Sequence, residues 1–327
     1  MEKTRVALIG CRGHWGYALN GLKQLGSECE VVGISTGCED DPQKMAEIAK
    51  EFLAGTPEIF ADYRQLLDSG VDVAVIDGPF ELHAEMCIEA LKRKIHVFCE
   101  KPIALKLDDL AEIEKYYAAV AGEVKLISMV GLRFDPAFAT AHKAVADGVV
   151  GKVKMVSARK SYKLGERPDF YRHRESFGGT IPWVGSHALD WIQWFGGAPF
   201  EKIFAVHNSE DNRGHGDLEM SAVCCFELAN KVIGSATIDY LRPQSAPTHG
   251  DDRVRVAGTD GVIEVSGGEV KLINADGEKI LPLEKTPGLF YNFIRSIRYG
   301  EACWTDAAET FELTRACLAA RNFADSL

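Results

Sequence analysis

The sequence has no apolar run approaching the ~20 residues that a membrane-crossing helix needs. A leader peptide is not expected either. Met1 to Ile9 is a few charged residues followed directly by a strand-like run, without an apolar core or a small-residue cleavage site. No CxxC occurs among nine cysteines scattered from Cys11 to Cys317. An odd count without ligand spacing argues against structural zinc and a disulfide framework, so no metal and reduced thiols in a cytoplasmic setting are expected. The adjacent Cys224 and Cys225 fall in a strand-like run and should point to opposite faces. Positive charge is in deficit: 37 Lys and Arg against 48 Asp and Glu give −11. With no block of like charge, nucleic acid and anionic membrane are excluded as main partners, although one basic pocket can still hide in an acidic chain. Internal repeats and low-complexity linkers are absent as well.

What remains is ordinary globular composition, 46% hydrophobic and 26% charged over 327 residues. A single core stops growing at roughly 250–300 residues, so two domains are expected. The first third alternates strand and helix signals. Strand-like runs at Val6–Ile9, Glu30–Ser35, Val71–Asp77, Ile95–Cys99 and Lys125–Gly131 are separated by helical patterns at Trp15–Leu25, Asp41–Leu53, Glu81–Arg93 and Leu107–Ala121. Asp41-Pro42 reads as an N-cap with proline at the first helical position, and Asp108 as a candidate cap. This alternation predicts a doubly wound parallel sheet, an α/β Rossmann domain over residues 1–130.

Beyond it, Asp135-Pro136 opens one more helix, and the pattern then changes. Strand-like segments follow at Val153–Ser161, Ile203–His207, Met220–Glu227, Lys231–Tyr240, Arg253–Ala257 and Gly261–Ser266, with turns such as Ala229-Asn230 and Ser266-Gly267-Gly268. One helical insert, Ser186–Phe195, interrupts them, and helices at Leu289–Tyr299 and Ala307–Ser326 close the chain. Residues 131–327 are therefore expected to form an α+β domain on an open, mainly antiparallel sheet.

Gly10, Gly13 and Gly16 lie between the first strand and the first helix. Glycines there let the backbone turn and approach a pyrophosphate at a helix N-terminus. The spacing Gly10-Cys11-Arg12-Gly13-His14-Trp15-Gly16 is one residue longer than the usual G-x-G-x-x-G, and alone it is equally a glycine-rich turn. His14 and Trp15 are expected to pack near the cofactor. Glu30 satisfies the ~20-residue count to a ribose-binding acid, but it begins its strand and should point away. That strand ends in Ile34-Ser35-Thr36-Gly37. Ser35 or Thr36 suits either a ribose hydroxyl or a 2′-phosphate, so NAD and NADP are not distinguished.

Four further stretches are more specific: Gly78-Pro79-Phe80-Glu81-Leu82-His83, Cys99-Glu100-Lys101-Pro102, Arg133-Phe134-Asp135-Pro136 followed by Gly148 to Val153, and Gly178-Gly179-Thr180-Ile181-Pro182-Trp183-Val184-Gly185-Ser186-His187-Ala188-Leu189-Asp190. In this order they resemble the Gfo/Idh/MocA oxidoreductases over nearly the whole chain. The resemblance implies an NAD(P) cofactor, a sugar, polyol or related substrate, and hydride transfer at a secondary carbon. It also implies a second-domain sheet whose outer face makes a homodimer or homotetramer. Gly10, Arg12, Gly13, His14, Trp15, Gly16, Ser35, Thr36, Pro79, His83, Glu100 and Lys101 would hold the cofactor.

Lys101, at a strand's carboxyl end, is placed to steady a developing alkoxide, or it is a surface lysine paired with Glu100. Pro102 stiffens that turn. His187 matches the family's catalytic histidine, a base for the hydroxyl proton. Its structural alternative is a buried histidine at a helix start. Asp190 orients a neighbour or contacts substrate. The chain departs from the family at Trp183, where many members carry an aspartate four residues before the histidine. Tryptophan cannot raise the basicity of His187, though it can wall or stack on a sugar. The base is then His187 alone, Lys101, or a tyrosine such as Tyr162 or Tyr171. In the stretch Tyr162–Arg174, Tyr171 and Arg172 are nominated for substrate, with a solvated loop or subunit contact as the alternative. Two rival functions stand beside the dehydrogenase: a glycoside-cleaving enzyme using tightly held NAD without net redox change, and a non-catalytic dinucleotide-binding regulator.

Overall fold

The computed structural model describes residues 2–36, 41–53 and 55–327. In chain order the first elements are β1 (Thr4–Ile9), α1 (Gly16–Leu25), β2 (Cys29–Ser35), α2 (Pro42–Lys50), β3 (Glu58–Phe60), α3 (Tyr63–Leu67), β4 (Val73–Ile76), α4 (His83–Lys92), β5 (His96–Cys99), α5 (Leu107–Ala118) and β6 (Leu126–Ser128). Then come α6 (Pro136–Ala146), β7 (Val153–Tyr162), α7 (Arg174–Phe177), α8 (Ser186–Gly196), β8 (Phe200–Asn208), β9 (Ser221–Leu228), β10 (Ile233–Asp239), β11 (Gly250–Gly258), β12 (Gly261–Ser266), β13 (Glu269–Asn274), β14 (Gly277–Ile280), α9 (Leu289–Tyr299) and α10 (Ala307–Asp325). They form two compact units, Met1–Gly131 with Pro287–Phe311, and Leu132–Thr286 with Glu312–Leu327.

The first unit is built on a parallel sheet in the order β3-β2-β1-β4-β5-β6. All four residues of β4 are buried, as a parallel strand covered on both faces requires. Strand order reverses between β1 and β4, which puts a crevice beyond their carboxyl ends. The two-domain division at residue 130 misses one segment. Residues 287–311 pack in the first unit because α9 closes one side of it. A Cβ on Gly21 of α1 would sit 2.8 Å from Phe290, and the Phe98 ring of β5 meets Phe290 and Phe293 at 5.0 and 5.6 Å. The sequence reading placed all of 131–327 in one domain because no local pattern marks a return of the chain.

The caps at Asp41 and Asp135 are present, each accepting from an amide two residues on. Asp108 is not a cap: α5 starts after Lys106, with Asp108 and Asp109 in its first turn, where they complement the helix dipole. Short elements β3 and α3 have no counterpart in the sequence pattern. Glu30 is turned away as expected, its carboxylate on Arg5 at 2.8 Å. The eight cysteines among the described residues are all free. No helix among the described residues is long and apolar enough to cross a membrane.

The second unit carries an eight-stranded sheet, β14-β13-β12-β11-β7-β10-β9-β8, antiparallel except for the parallel pair β7–β10 at its centre. The Ser266-Gly267-Gly268 turn does not end it. Both glycines have positive φ, 60° and 80°, and they start the β12–β13 hairpin. One face lies under α8: a Cβ on Gly234 would be 2.5 Å from Ile192, and one on Gly185 would be 2.6 Å from Ile238. The other face leaves Met155, Phe204, Val206, Val223 and Ile233 exposed.

Gly10 ends β1 with φ +78°, and a Cβ there would lie 2.5 Å from the Gly78 Cα. Gly10→Ala therefore combines a left-handed residue with a backbone clash. It should lower the unfolding free energy by about 3 kcal/mol in urea titration; a loss under ~1 kcal/mol would show that the loop yields freely.

Candidate functional site

In the first unit the glycine loop is fastened from beneath by two carboxylates. Asp77, directly after β4, accepts from Gly13 N at 2.8 Å and from Trp15 N at 2.6 Å. Its own carbonyl accepts from Arg12 N. Glu100, directly after β5, accepts from His14 N at 2.9 Å, with the His14 ring 3.0 Å from the same oxygen. Both acids are fully buried. Burial alone would raise the Glu100 carboxyl, but His14, Lys101 and His83 outweigh it and hold it below the usual carboxylate range. A Cβ on Gly13 would meet Asp77 at 2.7 Å and Glu100 at 2.8 Å, so this position has to be glycine for the clasp to close.

Consecutive amides of Gly13, His14 and Trp15, just before α1, therefore form an anion cradle. This donor set fits a pyrophosphate, and two protein carboxylates already stand on it. Beside the cradle, the space in front of Gly16 is open: a Cβ there meets nothing within 4 Å. Arg12 reaches Glu81 at 3.5 Å. The Ser35 hydroxyl is buried and donates to Thr36 O at 3.2 Å, and Thr36 is half-buried. Gly37 lies outside the described residues.

His83 was expected to touch the cofactor. It is instead fully buried, its ring nitrogens 2.9 Å from Pro102 O and 3.1 Å from Gly78 O. Burial lowers its pKa, and the ring braces the Pro79 turn against the Lys101–Pro102 turn, whose peptide bond is cis. Lys101 is not a surface lysine: it is 3% exposed, with Nζ 3.9 Å from Glu100. Asp77 was missed as a site residue. Its one signal is an acid at the carboxyl end of an otherwise apolar strand.

In the second unit, Gly178 and Gly179 turn with φ +81° and +110° into a π-helical turn, Ile181–Gly185, that runs straight into α8. Glu219 holds this entry: its carboxylate accepts from Thr180 N at 2.8 Å and its carbonyl from the Thr180 hydroxyl at 2.7 Å. Trp183 is buried on the π turn and its carbonyl accepts from Ser186 at 2.7 Å. His187, 4% exposed, occupies the first turn of α8. Asp190 does not offer its carboxylate to open space. It is buried against Arg133, with Nε at 3.0 Å and Nη2 at 2.7 Å from Oδ1.

The segment after β7 sorts its residues by direction. Tyr171 is buried and meets Trp183 edge-on at 6.4 Å. Arg172, nominated for substrate, is turned outward to a surface pair with Asp169 at 3.1 Å. The Arg167 guanidinium lies over Tyr171 and Tyr240, at 5.4 and 4.9 Å. Proline at 168 fixes the turn that separates the two arginines. No metal was expected. His207, Glu219 and Asp325 do bring ligand atoms within 4.8 Å of one another, and the Arg174 guanidinium stands on both carboxylates.

Residues 4–131 match a family described as an oxidoreductase family with an NAD-binding Rossmann fold, and residues 138–264 match the GFO/IDH/MocA C-terminal domain. The solved structure of an oxidoreductase from Thermotoga maritima is 43% identical, covers 98% of both chains and superposes with a TM-score of 0.94. Myo-inositol 2-dehydrogenase of the same organism is 29% identical over 79% of this chain and 74% of its own. The 2,7-anhydro-N-acetylneuraminate hydratase of Mediterraneibacter gnavus is 30% identical over 83% and 71%. The chain spans 58% of the length of the uncharacterized oxidoreductase YrbE of Bacillus subtilis, at 30% identity.

The clasp has a measurable consequence. Asp77 puts a buried negative charge on the amides that suit a pyrophosphate. Asp77→Asn keeps an acceptor for the loop and removes the charge, so NAD should bind about fivefold more tightly, the ~1 kcal/mol expected for one like charge ~8 Å away at an effective dielectric near 40. Calorimetric titration checks this; weaker binding by Asp77→Asn would mean that the full carboxylate is needed to shape the loop.

Proposed function

Since the chain belongs to the Gfo/Idh/MocA oxidoreductases, we propose that it is an NAD(P)-dependent dehydrogenase or reductase that moves a hydride to or from a secondary carbon of a sugar, polyol or related compound. The observation that carries this reading is the burial of Lys101 at the carboxyl end of β5, in the turn that also supplies Glu100 to the glycine loop. Lys101 stands where open parallel sheets bind their ligands, outside the carboxyl end of a strand, with its ammonium 3.9 Å from Glu100.

The first unit holds the dinucleotide through the Gly13–Trp15 amides and the open ground at Gly16. Bound there, the cofactor supplies the hydride acceptor or donor at its nicotinamide ring. Lys101 donates a hydrogen bond to the reacting oxygen and lowers the energy of the alkoxide as it forms. His187 takes the hydroxyl proton in oxidation and returns it in reduction. Trp183, where a carboxylate is usual, gives His187 an apolar neighbour and leaves the imidazole to act without an anionic partner at that position.

Fluorescence titration with NAD, NADP and their reduced forms, followed by a sugar and polyol screen monitored by nicotinamide absorbance, tests the reading. Lys101→Met and His187→Ala should each cut kcat/KM by roughly 100-fold to 1,000-fold, with the His187 variant still binding dinucleotide. If no dinucleotide binds at millimolar concentration, the proposal fails.

A second reading is favoured by Trp183 together with the hydratase relative: bond cleavage on a glycoside or anhydrosugar with no net redox change. Sugar release without nicotinamide reduction would select it.

The apolar outer face of the second unit's sheet supports the further proposal that two copies pair there. Phe204 stands opposite Cys225 and Val206 opposite Val223, on adjacent strands and the same face. Phe204→Glu should shift the sedimenting species toward monomer; unchanged mass would remove this face as the interface.

A further inference from the structure

Around Tyr162 and Tyr240 the second unit gathers more positive charge than it balances. Lys160 is 1% exposed, and its ammonium stands 2.5 Å from Asp252. It also lies over the Tyr162 ring, 4.8 Å from the centroid. Lys163 donates to Ala246 O, and Arg167 donates through Nη2 to Lys163 O at 3.0 Å. Among the described residues neither Lys163 nor Arg167 makes an ion pair. Of these three cations only Lys160 is ion-paired among the described residues, to Asp252, while Asp135 and Glu219 act on the cluster at longer range. His249, 4.8 Å from Tyr162, registers the imbalance: burial lowers its pKa, and Arg167, Lys163 and Lys160 push it lower against the single opposing effect of Asp252.

Two buried donors in this cluster lack a protein acceptor. The Tyr240 hydroxyl, on a residue 2% exposed, has no hydrogen-bond partner, and neither does Arg167 Nε. The Arg167 guanidinium sits over the Tyr240 ring on one side and the Tyr171 ring on the other. Water can satisfy a hydroxyl, but it does not neutralise a partly desolvated guanidinium, and such groups are rarely left without an anion. The cluster leads directly to the substrate side chains: Arg167 stacks on Tyr171, Tyr171 meets Trp183, and Trp183 lies one turn before His187.

We infer that Arg167 and the Tyr240 hydroxyl form an anion subsite of the substrate pocket, and that the substrate is a sugar or sugar derivative bearing a carboxylate. This rests on the oxidoreductase reading for the reaction, but not for the binding. With Nη2 given to Lys163 O, the guanidinium between the two rings keeps Nε without an acceptor, and a carboxylate oxygen suits that charged donor. Tyrosine and tryptophan faces suit the C–H surface of a sugar ring.

Calorimetric titration of the full chain with D-gluconate and D-glucuronate, against D-glucose, D-glucitol and D-glucose 6-phosphate, tests it with and without saturating NAD. The acids should bind at least 10-fold more tightly than the neutral compounds. Arg167→Met should cost the acids roughly 30-fold or more and the neutral compounds less than threefold, with Arg167→Lys recovering part. Tyr240→Phe, which keeps the packing, should cost the acids about fivefold. Equal affinity for neutral sugars, preference for the phosphate ester, or acid binding indifferent to Arg167→Met each overturns the inference. Dinucleotide binding with turnover of neutral polyols would leave the dehydrogenase standing and remove the anion subsite. Arg167-dependent acid binding without dinucleotide binding would do the reverse.

Discussion

The first unit depends on carboxylates that grip backbone amides. Asp77 and Glu100 terminate neighbouring strands, and each reaches up to the loop between β1 and α1. Hydrogen bonds from amides to an ionised acceptor are roughly twice as strong as neutral ones, and both acceptors here are fully buried. The loop is therefore ordered by the sheet beneath it before any cofactor arrives. That order has a cost in charge, since an acid pair stands on the donors that a pyrophosphate would use. Lys101, His14 and His83 offset it, and they account for the lowered Glu100 carboxyl. The elements a family comparison would mark as cofactor contacts are in this chain first of all members of one electrostatic clasp.

The second unit repeats the principle with a guanidinium. Arg133 and Asp190 are both fully buried and joined through two nitrogens of the arginine. Replacing such a pair by apolar side chains is often neutral, but removing one partner strands a charge and costs about 3–5 kcal/mol. The pair ties the stretch before α6 to the second turn of α8, while Glu219 ties down the turn before α8. His187 lies between these two anchors along the helix, so its place is set by groups that need not touch substrate.

Much of the fold was readable from periodicity. Parallel strands buried on both faces read as short continuous apolar runs, and the caps at Asp41 and Asp135 announced their helices. Three things were not readable. The return of α9 to the first unit depends on Phe290 and Phe293 meeting Phe98, a contact nearly two hundred positions apart in the chain. The edge strand β14 has all four residues exposed and so lacks a buried face to alternate with. In the candidate site, the sequence shows residue types but not side-chain directions. Arg172 and Arg167 are equally basic in the sequence, yet the turn at Pro168–Arg172 sends one to solvent and the other onto tyrosine rings. Asp190 looked available because its partner, Arg133, lies far away in sequence and only the fold brings it in.

Trp183 and Arg167 acquire a joint meaning once charge is counted. A carboxylate beside the base would balance the imidazolium that forms when His187 takes a proton. Tryptophan supplies no such balance, and Arg167 of the inferred subsite makes no ion pair among the described residues. Under the proposed function, an anionic substrate would bring a carboxylate with it and neutralise that guanidinium. The loss of the acid is then compatible with chemistry at His187, because the negative charge enters with the ligand instead of residing in the protein.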